Sequence, residues 1–163
     1  MQVTSTQIDL DTASGPMRTY VHEPRLDGRA MRAFPGLIFY SEIFQQTEPI
    51  RRLGIQFASR GFVVMVPEVY HSDLAPGTVL AYDDAGKTRG NELKYATPLQ
   101  VFDADAATVI AALARHPRCN GRLGAVGVCL GGHLAFRCAL RKEILAAGRT
   151  IRCAAPARSR ASC

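Results

Sequence analysis

Leu123-Gly124-Ala125-Val126-Gly127-Val128-Cys129-Leu130-Gly131-Gly132 is the stretch that decides how this chain folds. Its first six residues are an apolar run bracketed by small residues, the pattern of a strand buried on both faces. His133 to Leu140 continues with helical character, so the chain must turn sharply from strand to helix between them. Gly127 and Gly131 relieve the crowding of such a turn, and Cys129 stands at its apex. A thiol there projects above the sheet, beside the free N–H groups of a helix N-terminus, where a thiolate is stabilised.

Working outward, the same alternation of buried strand and amphipathic helix recurs. Val3 to Leu10 and Met17 to Val21 flank a turn at Ser14-Gly15-Pro16 and predict a hairpin, followed by a linker from Pro24 to Arg32. Pro35 to Tyr40 and Phe62 to Val66 read as central strands. Between them, Glu48 to Arg60 places Ile50, Leu53, Phe57 and Ala58 on one helical face, with Gly61 as the stop. Thr97-Pro98-Leu99-Gln100 reads as a capping box, and Phe102, Ala106, Val109, Ile110 and Leu113 form the core stripe of the helix it starts. Strand, helix, strand, helix, strand, helix with parallel crossovers is an open α/β sheet covered on both faces. The span from Glu68 to Ala96 shows no period and reads as a long docked loop held by its tyrosines and leucines.

Composition narrows the function. The 163 residues suffice for one domain and one core. No apolar run approaches the roughly 20 residues of a membrane span, and the first residues lack a secretory pattern, so a cytoplasmic protein without membrane contact is expected. Five cysteines in no metal-like spacing argue against both a disulfide framework and a zinc site. No metal and no cofactor are expected, because neither a dinucleotide fingerprint nor a phosphate loop is present. Of the net charge of +6, the segment 141–163 carries five charges, so the rest is nearly neutral and nucleic acid is not an expected partner.

Four stretches together resemble the dienelactone hydrolase family of the α/β-hydrolase fold: Tyr40-Ser41-Glu42-Ile43-Phe44, Pro67-Glu68-Val69-Tyr70-His71, Pro76-Gly77 through Asp84-Ala85-Gly86, and Gly127 through Phe136. The resemblance implies a three-layer, open, mostly parallel sheet and cleavage of a small-molecule ester or enol-lactone through a cysteine nucleophile. It places that nucleophile at Cys129, an activating buried glutamate at Glu42, and oxyanion donors at the backbone N–H groups of Ile43 and Leu130. Arg89 and Tyr40 fall on its substrate side, Arg89 either pairing with the glutamate or receiving an anionic substrate.

The resemblance runs from about Val3 to Leu140 and then fails. The family continues with further strands carrying an aspartate and a histidine, whereas this chain reads Glu143 to Gly148 and then a run rich in Arg, Ala, Ser and Cys. Residues 1–147 are therefore expected to form a partial hydrolase domain missing its C-terminal strands, and 148–163 an irregular basic tail from a truncated or frame-shifted reading. Of the four histidines, His133 runs along the elbow helix, His22 and His116 lie far from the elbow in sequence, and His71 alone ends a strand near it. No complete Cys-His-Asp set can be assigned. A catalytically incomplete fragment or non-catalytic binding module is the alternative to an active hydrolase. An open sheet edge is expected to leave the chain marginally stable or self-associating.

Overall fold

The computed structural model describes residues 1–25 and 33–150. Ten elements follow in chain order: β1 (Val3–Thr12), β2 (Gly15–Pro24), β3 (Phe34–Tyr40), α1 (Glu48–Ser59), β4 (Val63–Pro67), α2 (Asp84–Ala96), α3 (Leu99–Ala114), β5 (Cys119–Val128), α4 (Leu130–Cys138) and β6 (Ile144–Thr150). The strands form one sheet in the order β1-β2-β4-β3-β5-β6. β1 and β2 are the expected hairpin, with Thr12 opposite Gly15, and β2 meets β4 antiparallel. From β4 through β3 and β5 to β6 all pairings are parallel.

Side chains alternate across the central strands, and the two faces bury two separate cores. Ile38 and Tyr40 of β3 and Val63 and Met65 of β4 pack with Phe102, Val109, Ile110 and Leu113 of α3 and Leu134 and Ala135 of α4. Leu37 and Phe39, with Val64 and Val66, pack instead with Ile50 and Ala58 of α1. Helices thus cover both faces, as the apolar runs require.

Three elements depart from the sequence reading. The aperiodic span after Glu68 contains a thirteen-residue helix, α2, which starts where Asp83 accepts a hydrogen bond from the Gly86 N–H at 2.7 Å. Its polar composition hides it, since only Gly86, Gly90 and Leu93 are buried. Thr97 does not cap α3: its hydroxyl turns back and donates to the Leu93 carbonyl of α2 at 2.9 Å, and Pro98 takes the N-cap position. A strand does follow Leu140, since β6 pairs with β5 from Leu123 opposite Ile144 to Val128 opposite Thr150. The domain boundary expected after residue 147 therefore falls inside β6. The tail from 151, and the linker from 26 to 32, lie outside the described residues.

Candidate active site

The elbow is a backbone feature before it is a chemical one. Cys129 has φ 54° and ψ −116° at the N-cap position of α4, a conformation that costs a non-glycine residue on the order of 1–2 kcal/mol. Neighbouring glycines permit it. A Cβ on Gly127 would stand 2.0 Å from the Gly131 carbonyl oxygen, and one on Gly131 would stand 2.2 Å from the Tyr40 oxygen. The first turn of α4 therefore lies directly against the end of β3. Among the described residues only one other non-glycine has positive φ, Gln45 at 68°, and it lies in the loop that leaves β3.

β3 and β5 bring the expected residues to one edge. Tyr40 is the register partner of Gly127, so Glu42 and Cys129 each stand two residues beyond a paired position, at the carboxyl ends of adjacent parallel strands. This is the crevice in which open α/β sheets bind ligands. Cys129 is exposed, whereas Glu42 is only 7% exposed. Ile43 and Leu130 flank them, and among the described residues neither backbone N–H donates a hydrogen bond within the protein. Burial drives the hydroxyl of nearby Tyr70 well above its usual range, with charge on Cys129 adding to the effect.

The cover over this edge is pinned at several points. The buried Glu68 carboxylate accepts from the Gly77 N–H at 3.0 Å and from the Tyr20 hydroxyl at 2.9 Å, which fixes the Pro76-Gly77 turn. Gln45 Oε1 accepts from the Val69 N–H at 3.1 Å, and Tyr70 donates to the Gly90 carbonyl at 3.1 Å. Leu80 donates its N–H to the Phe44 carbonyl at 3.1 Å. Next along the chain, the Tyr82 hydroxyl donates to Glu42 Oε1 and sits 2.8 Å from Thr47 Oγ1. Sequence reading missed both Glu68 and Tyr82, because a contact between residues tens of positions apart leaves no local period.

Other expected participants stand elsewhere. Tyr40 is 4% exposed, its hydroxyl 3.4 Å from Cys138 Sγ inside the core, where burial and then Cys138 push its pKa well up. Its side chain packs in the core cluster with Ile38, Phe102 and Leu134. Arg89 lies on the exposed side of α2, 3.4 Å from Glu92, and makes no ion pair with Glu42. The His71 side chain is buried and held 3.0 Å from Asp105 of α3. His22 bonds Ser5 across β1 and β2 at 2.8 Å, and His116 lies 3.8 Å from Glu23. His133 is exposed on α4, lining a cleft of about 360 Å³ with Lys94, Thr97, Leu130 and Leu134. Among the described residues no cluster of side chains is suited to a metal ion, and no helix is long and apolar enough to cross a membrane.

Known proteins share this fold. Residues 17–150 match the model of the dienelactone hydrolase family. A Saccharomyces cerevisiae protein named "Putative carboxymethylenebutenolidase" is 43% identical over 149 residues, which is 90% of this chain and 54% of that protein. The carboxymethylenebutenolidase of Pseudomonas putida is 30% identical over 103 residues, 63% of this chain and 43% of its own length. Among solved structures, the "Putative Dienelactone Hydrolase" from Klebsiella pneumoniae superposes with a TM-score of 0.74 at 27% identity, covering 93% of this chain and 62% of that one. The chain thus spans about half the length of the curated relatives it matches.

Proposed function

The chain belongs to the dienelactone hydrolase family, and from that membership we propose that it carries the acyl-accepting half of an ester or enol-lactone hydrolase site. The observation that carries this reading is the strained backbone of Cys129, held at φ 54° at the head of α4 beside the Glu42 strand end. Strain of this kind persists where the surrounding structure enforces it, and a thiol at the head of a helix is favoured as thiolate. Glu42 takes the thiol proton as the sulfur attacks the substrate carbonyl carbon. The carbonyl electron pair moves to oxygen, which the N–H groups of Ile43 and Leu130 receive. Losing one such donor typically costs about 3 kcal/mol in the barrier. When the tetrahedral intermediate collapses, the bond to the leaving oxygen breaks, that oxygen takes the proton from Glu42, and a thioester remains on Cys129.

Hydrolysis of the thioester needs a base to activate water, and among the described residues His71, His22 and His116 are engaged with Asp105, Ser5 and Glu23, while His133 stands exposed on α4 with no acidic partner within ion-pair distance. We infer that this 163-residue chain acylates once and stalls. A time course with p-nitrophenyl acetate tests both halves of the reading. The expected result is a burst of no more than one equivalent that is absent in Cys129→Ala, without sustained release. Sustained turnover lost in Cys129→Ala would overturn the stalled half-site, and a burst that survives Cys129→Ala would overturn the nucleophile.

A further inference from the structure

We propose that Tyr82 is a positioning residue for Glu42: its hydroxyl, backed by Thr47, engages one carboxylate oxygen and fixes the carboxylate to the cover. The inference deepens the preceding reading, in which Glu42 acts on Cys129, and rests on it.

Three observations point to the clamp. First, Tyr82 is 53% exposed, yet its hydroxyl reaches inward to a carboxylate that is only 7% exposed. A tyrosine in a surface loop ordinarily leaves its hydroxyl in water. Its backbone is fixed on both sides, by the Leu80 bond to Phe44 and by Asp83 capping α2, and its ring lies 4.6 Å from that of Phe44. Second, Thr47 occupies the N-cap position of α1 but makes no side-chain cap bond. Threonine at that position normally stabilises its helix by capping. Here its hydroxyl is 2.8 Å from the Tyr82 oxygen, and since Tyr82 gives its own proton to Glu42, Thr47 is the donor. Third, Glu42 makes no ion pair among the described residues, so these neutral hydroxyls are what orient it. Burial, followed by the bond to Glu42, pushes the Tyr82 hydroxyl up to about 12, which keeps it a donor throughout the working range.

With the Tyr82 proton engaged on Oε1, the carboxylate is a poorer acceptor for the Cys129 S–H. Remove the hydroxyl, and that acceptor becomes free to hold the thiol in its protonated form, which raises the thiol pKa. Among the described residues, the other ionisable groups around the elbow include Tyr70, His133 on α4, and Arg149, whose Cβ approaches the Gly132 position. None of them is touched by substitutions at Tyr82 or Thr47.

The test is the rate of iodoacetamide alkylation at Cys129 from pH 5 to 10, followed by peptide mapping, on the full 163-residue chain. Tyr82→Phe keeps the ring contact with Phe44 and removes only the hydroxyl. Its expected effect is an upward shift of the alkylation midpoint by about half to one pH unit, a three- to tenfold slower reaction below the midpoint. Glu42→Gln is expected to lower the midpoint, and Tyr82→Phe to add nothing in that background. Thr47→Val should move the profile the way Tyr82→Phe does, by less, and decides the matter if Tyr82→Phe does not fold. A Tyr82→Phe profile superimposed on the parent, while Glu42→Gln shifts, overturns the clamp alone. An unshifted Glu42→Gln overturns the action of Glu42 on Cys129, and the clamp with it.

Discussion

Tyr40 and Gly127 pair in register on adjacent parallel strands, and the next two peptide units of each strand lead to Glu42 and Cys129. The backbone of the sheet, with no help from a loop, therefore sets these two residues side by side. What the loops add is access and orientation: the turn after β5 lifts the thiol into solvent, and the cover from Glu68 to Asp83 closes over the carboxylate.

Cys129 should react before the other described thiols. Cys138 is buried against Tyr40, and burial pushes its thiol up, so it is both inaccessible and protonated. Cys119 is only partly exposed and lies at the start of β5, away from any helix N-terminus. Under limiting iodoacetamide at pH 7.5, peptide mapping should find Cys129 modified first. Faster labelling of Cys119 would show that the elbow does not activate its thiol.

Gly131→Ala should damage the elbow in a graded way. The new methyl would stand 2.2 Å from the Tyr40 oxygen and 2.5 Å from the Ser41 oxygen, both of them backbone atoms that cannot swing aside. Overpacking of this kind costs about 1–3 kcal/mol. The shift also moves the Leu130 N–H, so the acylation burst should slow more than the loss of folded protein accounts for. Urea unfolding beside burst kinetics separates the two effects; an unchanged burst rate per folded molecule would remove Leu130 as an oxyanion donor.

The buried His71 and Asp105 pair should matter for stability and not for thiol chemistry. It ties the segment after β4 to α3, and both side chains are nearly sealed from solvent. Asp105→Ala leaves the imidazole without its partner in the core, a change worth about 3 kcal/mol. Chemical denaturation should show that loss while the alkylation rate of Cys129 in the folded fraction stays the same. A collapse of Cys129 reactivity in a folded Asp105→Ala protein would return His71 to the site.

How much of this was legible depends on whether a contact leaves a period. The runs Leu37-Ile38-Phe39 and Val63-Val64-Met65-Val66 announced strands buried on both faces, and the stripe from Phe102 to Leu113 announced α3. The elbow was readable because a strand-to-helix switch compresses into glycines at fixed offsets. Tyr40 was misplaced although parity along β3 held the answer: it shares the face of Ile38, toward α3 and α4. α2 was invisible because it buries two glycines and one leucine, too little apolar surface to mark a helical face. β6 was obscured because its middle is Ala146, Ala147 and Gly148, which pair through the backbone but carry almost no strand propensity. The Tyr82 clamp joins residues 40 positions apart and could be found only in three dimensions.

His22 should make the fold acid-sensitive in a defined window. It is 2% exposed on β2, its Nδ1 shares a hydrogen bond with Ser5 at 2.8 Å, and its Nε2 is buried without a partner. Burial first, and the positive charge of Arg51 second, lower its pKa from 6.5 to about 4. The native state therefore resists protonation that the unfolded chain accepts. Where the unfolded state binds more protons, stability rises with pH, so this contribution is fully present above pH 6.5 and is lost as pH falls toward 4. A displacement of that size corresponds to about 3 kcal/mol across the window. Carboxylates titrate in part of the same range, so the measurement is a difference: urea midpoints of the parent chain and of His22→Gln at pH 7.5, 6, 5 and 4.5. The parent should lose stability relative to His22→Gln as the pH falls, with most of the change between pH 6.5 and 4.5. Parallel curves would show that the imidazole is already hydrated or charged in the native state, and that the β1 and β2 hairpin packs less tightly over α1 than its burial indicates.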